Sequence, residues 1–197
     1  MCGITGYIGF REAYPIVIKG LERLEYRGYD SAGIVLLNND KIDLYKTKGK
    51  VEDLKNIAKE EVSKATLGMG HTRWATHGVP NNVNSHPHTS NSGDLVIVHN
   101  GIIENYDTIK KELITRGYTF SSDTDTEVLV NLIEEVKIQN NCKLGKAVQL
   151  ALTQVVGAYA IAVFDQTKPN EIVVARLGSP IAIGVGEDNK EFFVASD

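Results

Sequence analysis

Two cysteines in 197 residues, Cys2 and Cys142, are too few to build a disulfide framework. Basic residues are also short, with 21 Lys and Arg against 25 Asp and Glu and a net charge of −4. A nucleic-acid surface needs a basic stripe, and none is evident. Long apolar runs are missing too: the longest nearly unbroken one, Val155–Phe164, is too short for a bilayer-spanning helix. The N-terminus has no basic segment followed by an apolar one, so no secretory signal is expected. Gly3-x-x-Gly6-x-x-Gly9 is not the dinucleotide pattern, and no Walker sequence occurs, so no nucleotide cofactor is expected. These absences predict a chain without membrane or nucleic-acid partners, in the reducing surroundings of the cytoplasm.

What is present suffices for a core. Hydrophobic residues make up 42% of the chain and charged ones 23%, which excludes disorder as the main state. Tyr14, Val17, Ile18, Leu21 and Leu24 have helical spacing, with Pro15 suited to the first turn. Strands are expected near Ile4–Ile8, Ala32–Leu37 and Leu67–His71, and a turn at Asn38-Asn39-Asp40 leads into a partner for the second. A strand from Asp94 to His99 is expected to deliver Asn100 and Gly101 to a tight turn. Thr124-Asp125-Thr126-Glu127 has capping-box spacing ahead of Val128, Leu129, Leu132, Ile133 and Val136. Another helix is expected over Leu144–Val155, then strand segments at Ala158–Phe164, Ile172–Arg176, Pro180–Val185 and Phe192–Ala195. Helices between groups of strands predict an α+β or layered α/β domain, and without a clean linker residues 1–197 read as one domain. The irregular stretch 81–93, rich in Asn, Ser, His and Pro, is of the kind that carries function.

Cys2 is the residue on which chemistry centres. Removal of Met1 would give one residue both a thiol and a free α-amine. Such an amine has a pKa of about 7.7–8.0 and serves as a base near neutrality. The thiol could then attack a carbonyl. All five histidines lie between His71 and His99, but their spacing fits neither a zinc finger nor His-Glu-x-x-His, so no metal is expected. His86 and His88 read as holders of an irregular loop through neutral hydrogen bonds. Cys142 reads as a loop or helix-start residue.

Five ordered motifs follow the Met1-Cys2-Gly3-Ile4 start. They are Arg23–Gly33, including Tyr26-Arg27-Gly28-Tyr29-Asp30-Ser31, then His71–Gly78, Asn84–His88, His99–Asn105 and Thr124–Glu127. In this set the chain resembles the class II glutamine amidotransferases, members of the N-terminal-nucleophile hydrolases. Among them it is similar to the glutaminase domains of the isomerising glutamine–fructose-6-phosphate aminotransferases. The resemblance implies a four-layer αββα sandwich, with the family's last strands beyond residue 197 and the sugar-isomerase domains absent. It implies hydrolysis of L-glutamine to glutamate and ammonia through a γ-glutamyl thioester on Cys2. Asn100 and Gly101 would form the oxyanion hole. Arg73 would hold the glutamine carboxylate, and Asp125 its ammonium. Trp74, Thr76 and His77 would belong to the glutamine-site loop. Arg27 would order the architecture near Cys2, or else pair with Asp30. No cofactor is implied. The partners implied are the sugar-isomerase domains of the full-length chain, in a homodimer. The alternative is a noncatalytic glutamine-binding or assembly fragment, silenced by truncation or by a retained Met1.

Overall fold

Runs such as Ala32–Leu37 are apolar at every position because the strands that contain them are covered on both sides. The computed structural model describes residues 2–38, 41–58, 64–74 and 78–197. In chain order these form β1 (Gly3–Ile8), α1 (Ala13–Leu24), β2 (Ser31–Asn38), β3 (Lys41–Lys48), α2 (Val51–Ala58) and β4 (Leu67–Arg73). There follow β5 (His88–Thr89), β6 (Leu95–Ile103), α3 (Tyr106–Thr115), α4 (Asp125–Asn140) and α5 (Leu144–Leu152). The last described elements are β7 (Gly157–Asp165), β8 (Val173–Leu177), β9 (Ala182–Val185) and β10 (Phe192–Ala195). One sheet has the order β3-β2-β4-β1-β10-β9 and the other β5-β6-β7-β8, with antiparallel neighbours in both.

Strand alternation sorts the side chains into three apolar layers. Ala32, Ile34 and Leu36 of β2 pack with Val17 and Leu21 of α1 and Leu54 of α2. Val35 and Leu37, pointing the other way, meet Val96, Val98, Ala162 and Phe164 of the second sheet. Ile161 and Val163 of β7 turn outward against Val128, Leu132, Ile133 and Val148 of α4 and α5. The layers therefore run helix, sheet, sheet, helix.

Thr124 caps α4, its hydroxyl accepting from the Glu127 N–H at 3.2 Å. Only half of the capping box forms. The Glu127 carboxylate takes the Ser121 and Ser122 N–H groups at 2.9 and 2.7 Å, and Thr124 N–H donates to Ser122 Oγ at 3.3 Å. α4 is also buried beyond its apolar face: Thr126 and Asn131 are fully enclosed, Asn131 Nδ2 donating to Glu127 O at 2.9 Å.

Candidate active site

The inter-sheet core turns polar at one end. Along the inner face of β4, Leu67 and Met69 give way to His71 and Arg73; on β6, Val96 and Val98 give way to Asn100. Gly3 pairs with Thr72, so Cys2 lies beside the end of β4. There Trp74 N–H donates to Cys2 Sγ at 3.2 Å, and the thiol lies 3.5 Å from Trp74 O. A Cβ at position 28 would come within 2.9 Å of the Arg73 carbonyl carbon, so Gly28 lets the 26–31 segment close on this end of β4.

A narrow cleft here is lined by Cys2, Arg73, Trp74, Gly101 and Asp125, which are far apart in sequence. His86, His99, Thr124 and Thr126 complete its wall. Their part in the cleft was not signalled by sequence spacing. Asn100 joins from β6, its Nδ2 donating to Cys2 O at 3.0 Å. Arg73 is 3% exposed and donates through Nη2 to Gly78 O at 3.1 Å. Burial lowers the affinity of its guanidinium for the proton, against the opposing pull of Asp30, Cys2 and Asp125. Asp125, the first residue of α4, is buried and accepts the Ile103 N–H through Oδ2 at 2.8 Å. The Trp74 ring is half exposed and meets Tyr29 edge-on, with centroids 5.7 Å apart. Thr76 and His77 fall outside the described residues.

One expectation is corrected. Asn100 and Gly101 do not sit in a turn, because β6 continues through them to Ile103, with Asn100 opposite Ala160 and Gly101 opposite Tyr159. Gly101 has φ +126°, and a Cβ there would lie 2.0 Å from Ala158 O. The glycine serves a close strand contact instead of a hairpin. Arg27, in a 3₁₀ turn at Glu25–Arg27, donates to Ser196 O at 3.1 Å and lies 3.4 Å from the Asp197 carboxylate. Ser196 Oγ in turn accepts the Ile4 N–H at 3.0 Å, so Arg27 braces the strand that carries Cys2. Cys142 follows the left-handed Asn141 cap of α4 and packs against the α4–α5 core, on the far side of the second sheet from the inter-sheet layer.

Burial pushes the Cys2 thiol pKa upward, while the Trp74 backbone and Arg73 oppose that rise. The thiol therefore needs a base. His71, His86 and His88 are poor candidates. His71 is pushed down to about 3 by burial, against the hydrogen bonds it makes to Asn100 and His99. His86 and His88 lie well below 6.5, again from burial first, with Lys46 adding to the shift of His88. His86 Nε2 and His99 Nδ1 share Thr126 Oγ1 at 2.8 and 2.9 Å, and His88 Nε2 lies 3.2 Å from Thr124 Oγ1. Among the described residues no group of His, Cys, Asp and Glu has the geometry of a metal site.

This neutral cluster predicts acid sensitivity. Unfolded histidines bind protons below about 6.5, whereas His71, His86 and His88 stay neutral in the fold. Unfolding then takes up protons, so stability is full above about pH 6.5 and is lost as pH falls toward the folded values. Each histidine should contribute a slope of about 1.4 kcal/mol per pH unit within that window. Denaturant titrations at pH 7 and 5 check this. Equal stability at the two pH values would refute it.

Comparison with known proteins supports the same fold and class. A glutamine amidotransferase domain family matches residues 53–197. The chain is 59% identical over 198 residues to an isomerizing glutamine–fructose-6-phosphate aminotransferase of Bacteroides thetaiotaomicron, covering 100% of this chain and 32% of that protein. The corresponding protein of Chlorobaculum tepidum is 54% identical over 202 residues, with the same coverage. The solved structure of glutamine phosphoribosylpyrophosphate amidotransferase from B. subtilis superposes with a TM-score of 0.84 at 30% identity, covering 99% of this chain and 42% of that one.

The fold is the N-terminal-nucleophile hydrolase type of the class II glutamine amidotransferases, and the chain belongs to that family. Within it, the chain is an enzyme domain resembling the glutaminase domains of the glutamine–fructose-6-phosphate aminotransferases. It spans about a third of the length of the curated relatives it matches (32%).

Proposed function

We propose that this domain hydrolyses free L-glutamine through a γ-glutamyl thioester on Cys2. The observation that carries the reading is the cleft where Cys2, Arg73 and Asp125 come together. A cleft lined by a thiol, a buried cation and a buried anion suits an amide whose far end is a zwitterion. With Met1 removed, the Cys2 α-amine takes the thiol proton. The sulfur pair then bonds to the side-chain amide carbon, Cδ of glutamine, as the carbonyl pair moves onto oxygen. Asn100 Nδ2 has two hydrogens, one given to Cys2 O, so the second is available to that oxyanion together with the Gly101 N–H. The proton passes to the amide nitrogen, the C–N bond breaks and ammonia leaves. Water then adds to the thioester, the S–C bond breaks, sulfur regains its proton and glutamate departs. The half-exposed Trp74 ring would cover the thioester.

The glutamine carboxylate would pair with Arg73, and Asp125 would use Oδ1 for the ammonium, its Oδ2 being held by Ile103. Arg73→Lys tests this clamp, because an ammonium point charge loses the planar fork. KM for glutamine should rise about 10- to 100-fold, the equivalent of about 1.4–2.7 kcal/mol, with a smaller change in kcat. Unchanged KM would remove Arg73 from the site.

In the full-length protein the ammonia would serve synthesis of glucosamine 6-phosphate from fructose 6-phosphate. Sugar-isomerase domains in a cytoplasmic homodimer would carry out that step. Relatives that bear the aminotransferase name and match this chain end to end support that assignment.

A further inference from the structure

His71 belongs to none of the roles assigned above, yet it touches Asn100. It is fully buried on β4, and its ring lies 4.2 Å, centroid to centroid, from that of His86. Its Nε2 is 3.0 Å from His99 O and 2.9 Å from Asn100 Oδ1. A backbone carbonyl only accepts, so Nε2 must carry the hydrogen. The Asn100 atom facing that N–H must then be the oxygen. At the other end of the same amide, Nδ2 faces Cys2 O, also an obligatory acceptor, at 3.0 Å. Turning the amide over would set N–H against N–H at one end and oxygen against oxygen at the other.

We infer that His71 is a positioning residue for the reaction, fixing the Asn100 amide so that its NH₂ group faces the Cys2 side of the cleft. The inference rests on the function proposed for Asn100. Two neighbouring features support it. Burial keeps the ring neutral down to about pH 3, so it has a single N–H to place. Its Nδ1 has no hydrogen-bond partner among the described residues, so nothing there draws the proton off Nε2. An oxyanion donor held by its neighbours needs no reorientation as charge develops.

The test is a double-mutant cycle in the intact protein with Met1 removed. His71→Leu deletes the N–H, His71→Gln restores an amide donor, and both are crossed with Asn100→Ala. His71→Leu should lower kcat about 10- to 100-fold, while KM and the rate of Cys2 alkylation by iodoacetamide change less than about twofold. His71→Gln should recover most of the loss. In the Asn100→Ala background, His71→Leu should cost less than about twofold more. A full additional loss there, or no loss in the parent, overturns the inference. If Asn100→Ala itself turns over normally, the oxyanion assignment fails first, and the two failures are told apart. Should the leucine variant not fold, ¹⁵N NMR of the parent decides: an Nε2–H tautomer at His71 supports the inference, and an Nδ1–H tautomer refutes it.

Discussion

Cys2→Ala is expected to lower glutamine hydrolysis by about 10⁴-fold or more, with glutamine still bound. Cys2 is the only one of the two cysteines that lines the cleft with Arg73 and Asp125; Cys142 packs in the α4–α5 core. Cys142→Ala should therefore turn over normally. Equal losses in the two variants would end the assignment of the nucleophile. A second arm concerns proton transfer. Burial raises the thiol pKa, and the neighbouring histidines are held neutral with little proton affinity. On the proposed scheme the α-amine is the base, and a retained Met1 turns it into an amide. A mass-verified protein that keeps Met1 should be slower by about 10²- to 10⁴-fold, the usual worth of a general base. Full activity in that form would defeat the scheme.

Gly101→Ala should be strongly destabilising, costing about 4 kcal/mol or more. Two causes combine. The backbone at φ +126° lies where L-residues are strained, and the new Cβ would sit 2.0 Å from Ala158 O and 2.8 Å from its carbon. Both atoms are backbone of the paired strand β7, so no side chain can swing aside to make room. Gly93 offers the control: it too has positive φ, +84°, but nothing lies within 4 Å of a Cβ there. Gly93→Ala should cost only the conformational part, about 1–2 kcal/mol. Denaturant unfolding of the two variants separates clash from strain, and similar costs would show that the close contact does not matter.

The same glycine marks where sequence reasoning stopped. Asn-Gly is a strong hairpin signal because both residues tolerate positive φ. In isolation nothing distinguishes that use from a glycine pressed against a neighbouring strand, and only the pairing with β7 decides it. Helix α1 and the inner strands were legible because their periodicity matched their burial. Helix α4 was legible on its apolar face alone, since Thr126 and Asn131 are enclosed by elements from elsewhere in the chain. Cys2, Arg73, Asn100, Gly101 and Asp125 were named from ordered motifs, yet their meeting needs β1, β4, β6 and α4 to converge. The histidines are visible in the sequence as a group, and only His86 and His88 read there as holders of a loop. The partners of His71, His86, His88 and His99, which are Asn100, Thr126 and Thr124, lie 27–40 residues away in sequence and could not be paired from spacing.

Asn100 and Ile103 belong to one strand, and Ile103 grips Asp125 through its N–H. The proposed anchor for an ammonium and the proposed donor for a developing oxyanion are therefore fastened to the same rigid bar. On the proposed reading β6 acts as a caliper. A ligand whose amide stands one methylene nearer its ammonium reaches one jaw at a time, so length selection needs no wall at the end of the cleft.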